Sequence, residues 1–335
     1  MRLAITRLVT VLTICMFATS IASAQQFTMR ISSPTINDVT QEWAKAFKEG
    51  VEARSNGRIK VEFYPANQLG QIPTTVEGVA LGTIQMTIPA TGFFISLEPR
   101  FQVFDIPGLF DSVVHAEKVL DDPEIRKRLS SFGASKGVEP LFTAINGPLM
   151  VLTYKPIRRV ADFQGQKIRV AGGAPLQIKP FEKLGTSPIS MPLGEVLPAM
   201  QNHTIDGLTA AFTVFTAFKY YDIAKEITYL PRSYLVISGL VNRAFMKSLG
   251  PELEGIVRDE SHKAEKIFST RGVEDLTRIR AEWEKNGGKI IILSPAEAKR
   301  YLDDASSVLP PILASNPQLK DDYEALLAAA KKYRQ

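Results

Sequence analysis

Phe27-Thr-Met-Arg-Ile31 alternates apolar and polar residues, and Val39, Trp43, Phe47 and Val51 then recur four apart. Ser55-Asn-Gly57 breaks the chain, after which Ile59-Lys-Val-Glu-Phe63 alternates again before Pro65. A period of two, then of about 3.6, then of two again is the pattern of a βαβ unit. Such a unit predicts a mainly parallel sheet covered by helices. A second series of the same kind runs from Leu149-Met-Val-Leu-Thr153 through Lys167-Ile-Arg-Val170 to Ile189-Ser-Met191, which predicts a second α/β lobe.

Beyond Gly250 the pattern changes. Pro251 suits a first helical position, and Leu253, Ile256, Val257, Ala264, Ile267, Phe268, Leu276, Ile279 and Trp283 follow at helical spacing up to Asn286-Gly-Gly288. Unbroken, this helix is about 36 residues and ~54 Å long, more than one small domain needs, so it is expected to lie along both lobes. Two shorter helices meeting at Gly272 are the alternative. Lys289-Ile-Ile-Ile-Leu293 reads as a buried strand, Ser294-Pro-Ala-Glu297 as a capped helix start, and residues 318–335 as a terminal helix.

At the other end, the apolar run Leu8–Ala18 follows Arg2 and Arg7 and leads to Ala22-Ser-Ala24. That is the layout of a secretory signal peptide over residues 1–24. Eleven residues at ~1.5 Å each cannot cross a ~30 Å hydrocarbon layer. Ile14 ahead of Cys15 does not fit a lipoprotein site, which wants a small residue there. The 335-residue chain holds 40 Lys and Arg, 35 Asp and Glu, and a single cysteine. Cleavage after Ala24 removes Arg2, Arg7 and Cys15, leaving 38 basic against 35 acidic residues, a charge of +3, and no cysteine. The balance excludes a disulfide scaffold and a cysteine-built zinc site, and it gives little support to nucleic-acid binding. No later segment is long and apolar enough to span a membrane.

The search for catalytic chemistry is mostly negative. His115, His203 and His262 have no partner at metal-ligand spacing, and Gly-x-Ser-x-Gly, Walker and Gly-x-Gly-x-x-Gly patterns are missing. A triad of distant residues stays open. The expectation is a protein that is not an enzyme, with no cofactor and no metal. Asn202-His-Thr204 matches a glycosylation sequon but falls inside the stretch considered next.

Asp162-Phe-Gln-Gly-Gln-Lys-Ile-Arg169-Val170 leads through Lys183-Leu-Gly185 to Met191-Pro-Leu-Gly-Glu-Val196 and Ala199-Met-Gln-Asn-His-Thr-Ile-Asp-Gly207. An arginine ending a strand sets its guanidinium at the carboxyl edge of a sheet, where ligands gather in open α/β folds. Its planar fork matches a carboxylate. Chemistry alone leaves two readings for Arg169: a ligand anchor, or an ion pair with some Asp or Glu.

This stretch resembles the signature of the solute-binding proteins of TRAP transporters, the tripartite ATP-independent periplasmic carriers of organic acids (the DctP-like family). Their pattern runs Asp-Leu-x-Gly-x-Lys-x-Arg, then Pro-Met-Pro-x-x-Glu-Val, then Ala-Leu-Gln-x-Gly-x-x-Asp-Gly. Ser55-Asn-Gly-Arg-Ile-Lys-Val61, Phe63-Tyr-Pro65, Gln68-Leu-Gly70, Leu81-Gly-Thr-Ile84 and Pro107-Gly-Leu-Phe110 fall in the family's order, so the likeness spans about residues 27–300. It implies a two-lobed periplasmic solute-binding fold, each lobe a mixed or parallel sheet flanked by helices, with crossing strands and a long helix spanning both. Lobe I would comprise residues 26–147 and 236–270, and lobe II residues 148–235 and 271–335. The resemblance also implies a periplasmic receptor that closes on a small organic carboxylate held by Arg169, then docks on small and large membrane permease subunits.

The departures bear on the ligand. Where many members carry a second arginine in a Gly-x-Arg run, this chain has Gly147-Pro-Leu149. The asparagine of the family's Asp-Gly-Gln-Glu-Asn is Ala210, and an aromatic that commonly precedes Glu-Val is Leu193. Phe93, Phe94, Phe212 and Phe215 fall in segments that line the family's cleft, although each could equally fill a lobe core. Gln85, where the family often has Asp, reads as a strand end. The expected site is therefore Arg169 with Thr91, Phe93, Leu149, Leu193, Ala210 and Phe212, the arginine standing exposed in an open cleft. The expected ligand is a monocarboxylate with an apolar or aromatic body. The alternatives are a C4-dicarboxylate or sugar-acid receptor drawing a second polar contact from Thr91, Ser32 or Ser33, a sensory co-receptor for a membrane kinase, and an exported hydrolase.

Overall fold

In the computed structural model, which describes residues 26–334 apart from the side chains at 272, 273 and 275, the opening pattern folds as a βαβ unit. Strands β1 (Phe27–Ser32) and β2 (Ile59–Tyr64) run parallel, with Phe27 opposite Ile59 and Ser32 opposite Tyr64. The helix Val39–Arg54 connects them, started by Asp38, whose carboxylate accepts from the Thr40 and Gln41 amides. Its apolar stripe explains the connection: Trp43 stacks on Phe47 at 4.7 Å and meets Phe142 at 4.5 Å, all three buried. The leader expected at residues 1–24, with Cys15, lies outside the described residues.

The remaining strands are β3 (Met86–Thr87), β4 (Val138–Thr153), β5 (Lys167–Val170), β6 (Ser187–Ser190), β7 (Gly207–Ala211), β8 (Glu226–Asn242) and β9 (Lys289–Ile291). They form one sheet in the order β2-β1-β3-β8-β4-β7-β5-β6, with β9 on β8. At one end β2-β1-β3 is parallel, and at the other β7-β5-β6 is parallel. Between them the long strands β4 and β8 run antiparallel and pass from one half to the other. This is the two-lobed α/β architecture with crossing strands. The β4–β8 ladder shifts register between Ile145 and Gly147 and between Pro148 and Met150, where Pro148 has no amide proton to give and the strands bend.

The helix Gly250–Lys285 is continuous over 36 residues, so the alternative of two helices meeting at Gly272 does not hold. Its stretch up to Phe268 contributes Leu253, Val257 and Phe268 to the core around Trp43 and Phe47. Its last turns place Trp283 against Phe212, Phe215 and Tyr221 in the other half. The Ile290 segment departs from expectation: β9 is a three-residue edge strand, and Ile292 is exposed rather than buried. Ser294 caps the next helix through the Glu297 amide, but the Glu297 carboxylate reaches the Val160 amide instead of closing a capping box. The terminal helix spans Pro317–Tyr333.

Candidate functional site

Arg169 sits on β5 between β6 and β7, opposite Ile189 and Leu208, one residue short of the strand's carboxyl end. The expectation of an exposed arginine is overturned, since it is 2% exposed. The two halves of the sheet close over it. Its Nε donates to the Met191 carbonyl at 2.9 Å and its Nη1 to the Thr209 carbonyl at 3.0 Å. These bonds fix the plane of the guanidinium. No carboxylate pairs with it among the described residues, and Nη2 carries no bond from them. Burial pulls its pKa down to about 10, with the nearby Tyr220 hydroxyl working the other way, so it stays charged at neutral pH. Tyr220 itself is buried, its hydroxyl unpartnered and pushed up to about 12.

Arg169 lines a cavity of about 30 Å³ between the halves, bounded by apolar residues from both: Ile72, Ile88 and Ala90 on one side, Leu193, Ala210 and Val214 on the other. Pro34, Phe93, Ala171, Leu235 and Ile237 also line it. The polar groups present besides the guanidinium are Asn146 and Thr35. Asn146 Oδ1 accepts from Thr213 at 3.4 Å, and Thr35 Oγ1 lies 3.1 Å from Ser33 Oγ. A space of ~30 Å³ holds about two waters, so an organic acid enters only when the halves part. Glycines set how tightly they meet. A Cβ on Gly172 would fall 2.6 Å from the Gly92 carbonyl group across the cleft, and one on Gly194 would fall 2.6 Å from the Gln71 amide.

Of the residues singled out in the sequence, Arg169, Phe93, Leu193 and Ala210 surround this cavity. Leu149 does not; it lines an adjoining cavity and packs against the cluster of Ala90, Ala171, Ala211 and Leu235. Thr91 is buried with its hydroxyl donated to the Val236 carbonyl, outside the lining. Phe212 packs on Trp283 in the core, as does Phe215, and Phe94 packs on Phe101. Gln85 accepts from the Arg30 backbone amide and from its Nε. Asn146, Thr35, Ile72, Ile88, Val214 and Ile237 were not foreseen; the one sequence signal for them is the alternation Leu235, Ile237 along β8.

The histidines serve the fold. His115 Nδ1 accepts from the Asp111 amide and its Nε2 meets the Ala330 carbonyl at 2.9 Å, tying the terminal helix down. Among the described residues Asp121, His262 and Glu265 come near enough to share an ion, but Arg126 bonds to all three and its charge fills the cluster. No helix of the described residues is long and apolar enough to cross a membrane.

The chain is similar to known periplasmic solute-binding proteins over most of its length. The chain is 28% identical over 277 residues to the 2,3-diketo-L-gulonate-binding periplasmic protein YiaO of Escherichia coli (strain K12), covering 82% of this chain and 83% of that one. It is 28% identical over 262 residues to the C4-dicarboxylate-binding periplasmic protein DctP of Rhodobacter capsulatus, covering 72% and 78%. Among solved structures, a TRAP periplasmic solute binding protein from Shewanella oneidensis with bound succinate superposes with a TM-score of 0.80 at 25% identity, over 91% of this chain and 99% of that one. One from Desulfovibrio salexigens with bound orotic acid gives 0.84 at 24% identity over 90% and 99%, a likeness of fold. The family model for DctP, bacterial extracellular solute-binding protein family 7, matches residues 32–315, a span that takes in eight of the nine strands and Arg169. By that match the chain belongs to this family of solute receptors.

Proposed function

We propose that this protein is the extracytoplasmic receptor of a TRAP transporter and that it captures a small organic acid in the cavity beside Arg169. The reading rests on one observation: a buried guanidinium, oriented by two carbonyls, with no carboxylate among the described residues to neutralise it. A buried cation without a partner is costly, and an anionic solute removes that cost on closure. The apolar walls favour a monocarboxylate with an apolar or aromatic body. The lobes divide at Gly147 and Leu235, which pair across the bend in β4 and β8, consistent with lobes at 26–147 plus 236–270 and 148–235 plus 271–335. A leader at 1–24 takes the chain to the periplasm, and the closed form hands its solute to the permease subunits.

The relatives that bind succinate and a diketo sugar acid support a second reading, a dicarboxylate or sugar-acid receptor. Its second polar contact comes from Asn146 or Thr35, because the Thr91 hydroxyl is already bonded. Thermal-shift screening against benzoate, pentanoate, succinate and galactonate separates the two. Stabilisation by the first pair is expected; stabilisation by succinate or galactonate alone sinks the apolar preference, and silence from every acid sinks the receptor reading.

A further inference from the structure

Ala171 and Leu235 wall not only the Arg169 cavity but also a second one, of about 40 Å³, bounded by Asp105, Leu149, Gln177, Thr209 and Tyr234. Asp105 ends the 3-10 helix Pro99–Asp105 of the first half, and Gln177 lies on the helix Pro175–Lys183 of the second. Gln177 Nε2 donates to Asp105 Oδ1 at 2.8 Å, bridging the cleft. The other polar atom of each group, Asp105 Oδ2 and Gln177 Oε1, is buried without a partner. An amide oxygen and an ionised carboxylate oxygen both only accept, so neither can satisfy the other. One proton on Oδ2 resolves both: the acid then donates to Oε1 while Nε2 donates to Oδ1, giving two bonds between two planar groups.

We propose that Asp105 is protonated in the closed arrangement and that Asp105 and Gln177 form a two-bond acid–amide latch across the cleft, so that closure takes up one proton from solvent. Among the described residues no cation pairs with this carboxylate. The other titratable groups on this cavity are Tyr234 and Tyr301, both held above the usual phenol range by burial and therefore neutral. Of the charged groups on the packed elements, Arg100 pairs with Glu98, Lys179 with Glu182, Arg232 with Asp111 and Asp322 with Arg128, while Lys183, Asp321 and Lys331 are exposed to solvent. Arg169 on β5 lines the neighbouring cavity and bonds to carbonyls. Burial accordingly pushes the Asp105 carboxyl up to about 7, with the Gln177 bond opposing.

The sign follows. An exposed aspartate loses its proton near pH 4, while the closed form keeps it to about 7, so closure is favoured at low pH, weakens as pH rises between these values and is level above. The latch rests on the receptor reading, and two measurements keep the two apart. The first needs no solute: thermal and urea unfolding of the wild type, Asp105→Asn and Asp105→Ala from pH 5 to pH 8. The wild-type folding constant is expected to fall by up to about fiftyfold between pH 5 and pH 7 relative to Asp105→Asn, whose amide makes the same two bonds at every pH. The second is calorimetry with benzoate and succinate over the same range. The affinity of whichever acid binds should weaken with pH for the wild type, stay level and strong for Asp105→Asn, and stay level and weak for Asp105→Ala. Parallel unfolding curves for wild type and Asp105→Asn, together with a pH-independent wild-type affinity for any acid that binds, overturn the latch. Failure of both acids to bind, with the unfolding curves diverging as expected, leaves the latch standing and counts against the receptor reading alone.

Discussion

The two cavities between the lobes share Ala171 and Leu235 and present opposite problems. One buries a donor, the Arg169 guanidinium, with no anion to meet it; the other buries two acceptors, Asp105 Oδ2 and Gln177 Oε1, with no donor. Desolvation shifts both groups toward their neutral forms, yet the outcomes differ because the starting points differ. Arg169 falls only to about 10 and remains a cation in any physiological medium, so in the proposed function the solute supplies the anion. Asp105 rises to about 7, within reach of ordinary pH, so a solvent proton suffices. On the proposed reading the buried arginine serves an anionic solute, whereas the buried aspartate facing an amide serves a proton-dependent contact.

The largest effect is expected at the arginine. Arg169→Ala should weaken binding of the preferred acid by about a hundredfold or more, the loss of a charge-assisted pair of hydrogen bonds. The same change strips the donors from the Met191 and Thr209 carbonyls but also removes a buried cation without an anion, so the fold should lose only about 1 kcal/mol. Calorimetry and urea unfolding measure the two losses separately. Unchanged affinity would remove the anchor, and a gain in stability would mean that the cost of the unpaired charge outweighs the two carbonyl bonds. Gly172→Ala tests both cavities at once. Its methyl would meet the Gly92 carbonyl and Gln177 Oε1 at 2.6 Å, so the lobes cannot seat fully. Affinity should drop roughly tenfold, and the pH dependence assigned to Asp105 should fade with it. Label pairs across the cleft should report a wider separation.

What the sequence revealed follows the range of the forces involved. The βαβ unit at Phe27–Phe63 and the helix Gly250–Lys285 were legible because their apolar periods are local and end at strong breakers. β4 was legible only from Leu149 onward: Pro140, Gly147 and Pro148 interrupt the pattern, although the chain stays extended from Val138 by pairing with β8. Lys289–Leu293 looked like a buried strand because isoleucines suit one, yet a three-residue edge leaves Ile292 in water. Arg169 was marked by its place in an ordered motif, but its burial depends on a second lobe closing over it. Asp105 and Gln177 are 72 residues apart and Leu149 turns toward them rather than toward Arg169, relations that no spacing along the chain encodes.

The smallest effect separates the two ligand readings. Asn146 presents its amide to the Arg169 cavity, and its one bond to a described residue is the 3.4 Å acceptance from Thr213. A neutral hydrogen bond is worth about 0.5–1.5 kcal/mol, two- to tenfold in affinity. If the bound acid is apolar beyond its carboxylate, Asn146→Ala should change benzoate affinity by less than about threefold, since the amide has nothing on the solute to meet. A loss of about tenfold for succinate or galactonate, with benzoate unaffected, would make Asn146 the second polar contact that Leu149 does not supply. In that case the apolar wall would be the place where a longer, doubly polar acid turns, and the contrast between the two cavities would lie in their chemistry rather than in which of them receives the solute.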